Sequence, residues 1–147
     1  MLILVLLFVG MSLKKKFAEF DNLPPLAKSQ KIQEIADNET NFGYDNKHDI
    51  LQDLYDEIDE LKEELELHDK TGDNIQRIFE ELGDVLFVLG NLANRYEIDS
   101  AKSLEYSIKE FERRMIYCEE HYNGDVPLKE APKEEMIRLW KEAKKNK

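Results

Sequence analysis

Glu57 and Glu60 stand three residues apart, as do Glu81 and Asp84, and each pair lies in a segment with helical periodicity. On a helix, positions i and i+3 share a face, so each pair can turn two carboxylates toward one ligand. Four carboxylates gathered at a partly buried edge would repel one another and raise their own pKa values. A hard divalent cation removes that conflict. Mg²⁺ suits the role, because carboxylate oxygens hold it while it keeps waters and substrate phosphates in its shell. For either pair alone, a solvated acidic face is the simpler explanation, and the segment around Glu57 supports it by being acid-rich nearly all round. The second pair sits in RIFEELGDVLFVLGNLANR (77–95), which has few charges, so its acids occupy chosen positions.

The elements that must position these acids follow from the apolar spacing. From about 48 to 67, Leu51, Leu54, Ile58, Leu61 and Leu65 make one helical stripe, beside a column of Asp53, Glu57, Glu60 and Glu64. In 77–95, Ile78, Phe79, Leu82, Val85, Leu86, Leu89 and Leu92 read as a buried face, beside a polar column of Arg77, Glu81, Asp84, Asn91 and Arg95. HDKTGDN (68–74) between them reads as a short loop, with Asp73 and Gln76 suited to a capping box. A short loop makes the helices an antiparallel hairpin, and packing the two stripes brings both acidic columns to one edge.

Three further helices complete the pattern. One follows LPPL (23–26) and runs to about Glu39, since proline is tolerated in a first turn. NFGYDN (41–46) breaks it, with Asp45 or Asn46 as the next N-cap. Another follows EIDS (97–100), capped by Asp99 or Ser100, with apolar positions 101, 104, 108, 111, 115 and 118. The last starts near Pro132, after the loop YNGDVP (122–127), and carries Met136, Leu139 and Trp140. No strand alternation, internal repeat or low-complexity tract is present. The fold expected is all-α, a bundle of about five helices built on the hairpin. Helix 77–95 is apolar over most of its circumference, with Phe87, Val88 and the Leu82–Leu89 row pointing several ways. Gly83 and Gly90, seven apart, would admit another helix at close range. A homodimer completing the bundle is therefore expected.

Composition bounds the function. The 147 residues are 41% hydrophobic and 36% charged, enough for one folded domain over 11–147. Lys+Arg 21 against Asp+Glu 32 gives −11, which argues against a nucleic-acid partner and would repel a triphosphate unless cations intervene. The single cysteine, Cys118, excludes an intrachain disulfide and reads as a buried, inert thiol. His48, His68 and His121 are scattered without ligand spacing. The apolar run Met1–Val9 is shorter than the roughly 20 residues that span a bilayer and lacks the marks of a secretory signal. Residues 1–10 are read as an extension outside the fold, with Met11 as a possible start. A cytoplasmic chain without a membrane partner is the reading; an N-terminal membrane tether is its alternative.

From Leu23 to Lys144 the chain resembles the MazG family of nucleoside triphosphate pyrophosphohydrolases, of the all-α NTP pyrophosphatase superfamily. EELGDVLF (80–87) and FERR (111–114) carry the specific part of the likeness. LPPLAKSQKIQEIA, FGYD, YDEIDEL, the rest of EELGDVLFVLGNLANR, and LWKEAK support it. The resemblance implies Glu57, Glu60, Glu81 and Asp84 as Mg²⁺ ligands, with Mn²⁺ able to substitute. It implies Arg77, Arg114 and Lys144 facing the phosphates and Trp140 near the nucleotide; Asn91 joins them as a substrate-binding candidate. The implied reaction is attack of a metal-activated water on the α-phosphorus, with Glu60 or Glu57 taking its proton. The chain departs from the family pattern at Asp53 and Glu110, where lysines are common, and at Asn46, which replaces the turn tryptophan. Two rivals remain: a dUTP/dCTP or phosphoribosyl-ATP specialist of the same superfamily, and a non-catalytic helical protein whose acidic surface binds a basic partner.

Overall fold

A computed structural model describes residues 10–146. Among them are six α-helices and no strand: α1 (Leu13–Ala18), α2 (Pro25–Glu39), α3 (Lys47–Thr71), α4 (Ile75–Arg95), α5 (Ser100–His121) and α6 (Lys133–Lys145), with a 3₁₀ turn at Leu128–Glu130. The all-α expectation holds. The extension read at 1–10 lies outside the described residues except for Gly10. Among the described residues, no helix is long and apolar enough to cross a membrane. The periodicity gave no warning of α1, which at six residues is too short to show a stripe. Its Lys16 is buried and pairs with Glu39 of α2 at 2.5 Å.

The chain forms two compact units, Met1–Ala101 and Lys102–Lys147. In the first, α3 starts at Asn46, whose side chain accepts from the backbone N–H groups of His48 and Asp49. It runs four residues beyond the expected end and stops at Gly72, whose φ of 74° lies in the left-handed region that glycine enters without strain. The interhelical loop is therefore only 72–74. The Asp73–Gln76 capping box expected there does not form: Asn74 occupies the N-cap position, and its side chain makes no cap bond. In a connection this short, the Asn74 amide ties the helices together instead. It donates to the backbone oxygen of Glu64 at 2.8 Å and to its carboxylate at 2.6 Å, and its oxygen meets His68 Nδ1 at 3.0 Å.

The core of this unit is Ile50, Leu54 and Val88, with Tyr44, Val85 and Leu92 packed around them. Helix α2 lies across α4, where Gly90 permits the approach. A Cβ on Gly90 would come within 2.9 Å of Ser29 Oγ and 3.0 Å of Gln33 Nε2, whereas one on Gly83 would meet nothing within 4 Å. So only Gly90 serves a close contact within the chain. Gln30 fastens the far end. Its amide donates to Asn94 Oδ1 and to the Ile98 carbonyl, its oxygen accepts from the N–H and hydroxyl of Ser100, and Asn94 returns a bond to its carbonyl. Gln30→Leu keeps the volume but strands several part-buried polar groups. It is expected to lower unfolding free energy by about 2–4 kcal/mol, read by urea denaturation.

The apolar faces need a correction. Within the chain, Phe79 is 71% exposed, Leu82 48% and Leu86 50%, and Leu89 is exposed as well, so this row of α4 is not the buried face expected. Leu51, Ile58 and Leu65 of α3 are likewise exposed. The hairpin covers only one side of each helix, and each carries a second apolar row.

In the second unit, α6 is clipped to α5 by Arg113, which donates to the carbonyls of Ala143 and Asn146 at 2.9 Å each. Leu139, Ala143 and Cys118 are buried. Burial pushes the Cys118 thiol pKa up, as an inert core thiol requires.

Candidate active site

The hairpin register brings the acids together. Glu64 pairs with Arg77 near the loop, Nε to Oε1 at 3.8 Å. Two turns back along α3 and two turns on along α4 stand Glu57 and Asp84. Glu57, Glu81 and Asp84 each present a carboxylate oxygen, and these oxygens all lie within 4.8 Å of one another. Glu60 is not in that group of three, but its charge reaches two of its members. The Glu57 carboxyl is pushed above the ordinary range, first by desolvation and then by Asp84, Glu60, Asp53 and Glu81. Glu81 is raised by desolvation and by Glu60, Asp84 and Glu64, with Arg77 opposing. Such crowding of like charges is what a hard cation relieves.

Beside these acids opens a cleft of about 470 Å³, bounded by α2, the 41–46 turn, α3 and α4. Glu57 and Asp84 line it, together with Asp37, Phe42, Tyr44, Asp53, Gln33 and Asn91. A cleft of this size can enclose much of a small organic ligand. Asn91 is only 8% exposed and lines the cleft. Its amide is placed to hydrogen-bond a ligand that enters the cleft.

The wall formed by the 41–46 turn was not legible in the sequence. Tyr44 donates a short hydrogen bond to Asp53, and Arg95 donates to the Tyr44 carbonyl at 2.6 Å. The Tyr44 phenol is held well above its usual range by burial and by its bond to Asp53. Asp53, one of the departures from the family pattern, thus anchors the turn. The nine-residue separation of Tyr44 from Asp53 has no helical meaning, because the chain reverses between them.

Arg114, Trp140 and Lys144 belong to the second unit. There Arg114 lies over the Trp140 ring at 5.4 Å and donates to Glu110 at 3.1 Å. Phe111 also meets Trp140, with 5.4 Å between ring centroids. Lys144 is exposed in the last turn of α6.

A family model described as the MazG nucleotide pyrophosphohydrolase domain matches residues 45–121, which hold both acidic pairs. The chain is 29% identical over 123 residues to the nucleoside triphosphate pyrophosphohydrolase/pyrophosphatase MazG of Thermotoga maritima, covering 83% of this chain and 45% of that protein. It is 28% identical over 125 residues to the nucleoside triphosphate pyrophosphohydrolase of Escherichia coli K12, covering 84% and 46%. A protein of Bacillus subtilis named YabN, described as uncharacterized, shares 40% identity over 65 residues, 44% of this chain and 13% of its own length. The chain spans less than half the length of each of these relatives. With the family model matching across α3, α4 and α5, the chain belongs to the MazG nucleotide pyrophosphohydrolase family.

Proposed function

We propose that the chain is a Mg²⁺-dependent nucleoside triphosphate pyrophosphohydrolase, converting an NTP or dNTP and water to the nucleoside monophosphate and pyrophosphate. The observation that carries this reading is the convergence of Glu57, Glu81 and Asp84 from two adjacent helices, two of them, Glu57 and Asp84, lining a cleft. The donor set fits the implied cation: three hard carboxylate oxygens, close together, whose mutual repulsion a divalent charge would relieve. Mg²⁺ held there would supply Lewis acidity at the phosphate oxygens and acidify water.

The chain's own residues do the rest. Water attacks the α-phosphorus; a new P–O bond forms as the bond to the bridging oxygen breaks, and its electron pair leaves with pyrophosphate. Glu60 is the better general base, since it stands outside the three grouped carboxylates yet close enough to raise Glu57 and Glu81. Asn91 would bind the part of the nucleotide that enters the cleft, and Arg77, Arg114 and Lys144 would counter phosphate charge, with Trp140 beside the nucleotide. Pyrophosphate release across a panel of nucleotides, with Mg²⁺ and with EDTA, tests this. Release from at least one triphosphate only when Mg²⁺ is present supports it; no release from any triphosphate overturns it in favour of a non-catalytic relative.

The exposed row Phe79, Leu82, Leu86 and Leu89 supports a further part of the reading, an obligate homodimer in which a second copy covers α4.

A further inference from the structure

Glu110 of α5 holds two arginines with one carboxylate. Its Oε2 accepts from Arg114 at 3.1 Å and from Arg113 at 3.2 Å, while Oε1 accepts from Arg113 Nε at 3.2 Å. Arg113 is independently anchored by the Ala143 and Asn146 carbonyls. Arg114 is not: besides Glu110 it meets the face of Trp140, and its buried Nε has no hydrogen-bond partner among the described residues. The Glu110 and Arg114 side chains are 18% and 19% exposed, so their attraction is less screened than a surface pair's. One carboxylate is thereby shared by two guanidinium groups, one structural and one with a donor to spare.

We propose that Glu110 is a built-in competitor for Arg114, occupying its guanidinium until a polyphosphate displaces the carboxylate, and so sets how tightly the chain holds its substrate. The inference rests on the proposed role of Arg114 toward phosphate. A polyphosphate presents more charge and more acceptor oxygens than one carboxylate, so it can outcompete Glu110 for the guanidinium. A lysine at this position would leave Arg114 open and add a cation; Glu110 instead makes binding an exchange. Glu110 is a positioning residue in this account and touches no reacting atom.

Trp140 reports on the exchange directly, being the only tryptophan in the chain and lying under the Arg114 guanidinium. Titrating the full chain with inorganic tripolyphosphate and Mg²⁺ should change Trp140 emission saturably. Glu110→Gln should tighten the apparent affinity about fivefold, the size of one partly buried charge-assisted contact. Glu110→Asp, one methylene shorter, should fall between Glu110→Gln and the parent, which guards against a folding defect in the first variant. Glu112→Gln makes the same charge change on the same helix and should leave affinity at the parent value. In an Arg114→Gln background the effect of Glu110→Gln should vanish. For hydrolysis, KM should fall by the same factor with kcat unchanged. An equal shift from Glu112→Gln, or an effect that survives without Arg114, overturns the proposal. If no triphosphate is hydrolysed at all, the pyrophosphohydrolase reading fails, while the emission titration still decides the role of Glu110.

Discussion

Asp84→Asn and Glu57→Gln are each expected to lower pyrophosphate release by more than about 100-fold while leaving the helical fold intact. Either change replaces one of three grouped carboxylates, whose oxygens lie within 4.8 Å of one another, by a neutral amide, and a cation left with two protein charges from that group is poorly held. The stability effect should have the opposite sign. Glu57 is raised by desolvation first and by the Asp84 charge next, so the metal-free chain carries repulsion that Asp84→Asn relieves. Circular-dichroism melting should therefore show the metal-free variant at least as stable as its parent. Added Mg²⁺ should raise the parent's melting temperature and leave the variant's nearly unmoved, since a ligand stabilises only the state that binds it. Near-normal turnover in both variants would remove these carboxylates from the mechanism.

The second large effect should come from Leu86→Glu. Leu86 is 50% exposed within the chain, so in a monomer a charge there would change stability by no more than about 0.5 kcal/mol. If a second copy covers α4, the same charge is buried against apolar neighbours and the interface fails. Light scattering at micromolar concentration should then give the parent twice the 17.3 kDa chain mass, and the variant the mass of one chain. Turnover should fall by more than about tenfold, because Leu86 shares α4 with Glu81 and Asp84 and the dimer's stability is linked to its function. An active parent at the single-chain mass would rule out the dimer.

The sequence by itself determined the local order of this protein. The 3.6-residue period placed the long helices, because an amphipathic stripe is written in nearest-neighbour spacing and needs no tertiary information. The same period put Glu57 with Glu60, and Glu81 with Asp84, on single helical faces. Asn46 was readable as one of two caps for the same reason, since a cap bonds to the backbone two and three residues on.

What tertiary structure alone decided were relations between segments. Carboxylate spacing offered four equivalent acids; the hairpin register gathered Glu57, Glu81 and Asp84 and set Glu60 apart from that group. Ending α3 at Gly72 shortened the loop, so Asn74 crossed to Glu64 and the Asp73–Gln76 box lost its place. Gly83 and Gly90 look alike in sequence, yet only Gly90 is pressed by α2. The apolar row on α4 stayed exposed because the period says which face of a helix is oily but not which element will cover it. Asp53 and Glu110, read in sequence as departures from the family pattern, became the partners of Tyr44 and of Arg113 and Arg114. Charge is a property of a residue; its effect depends on the groups the fold brings within hydrogen-bonding distance.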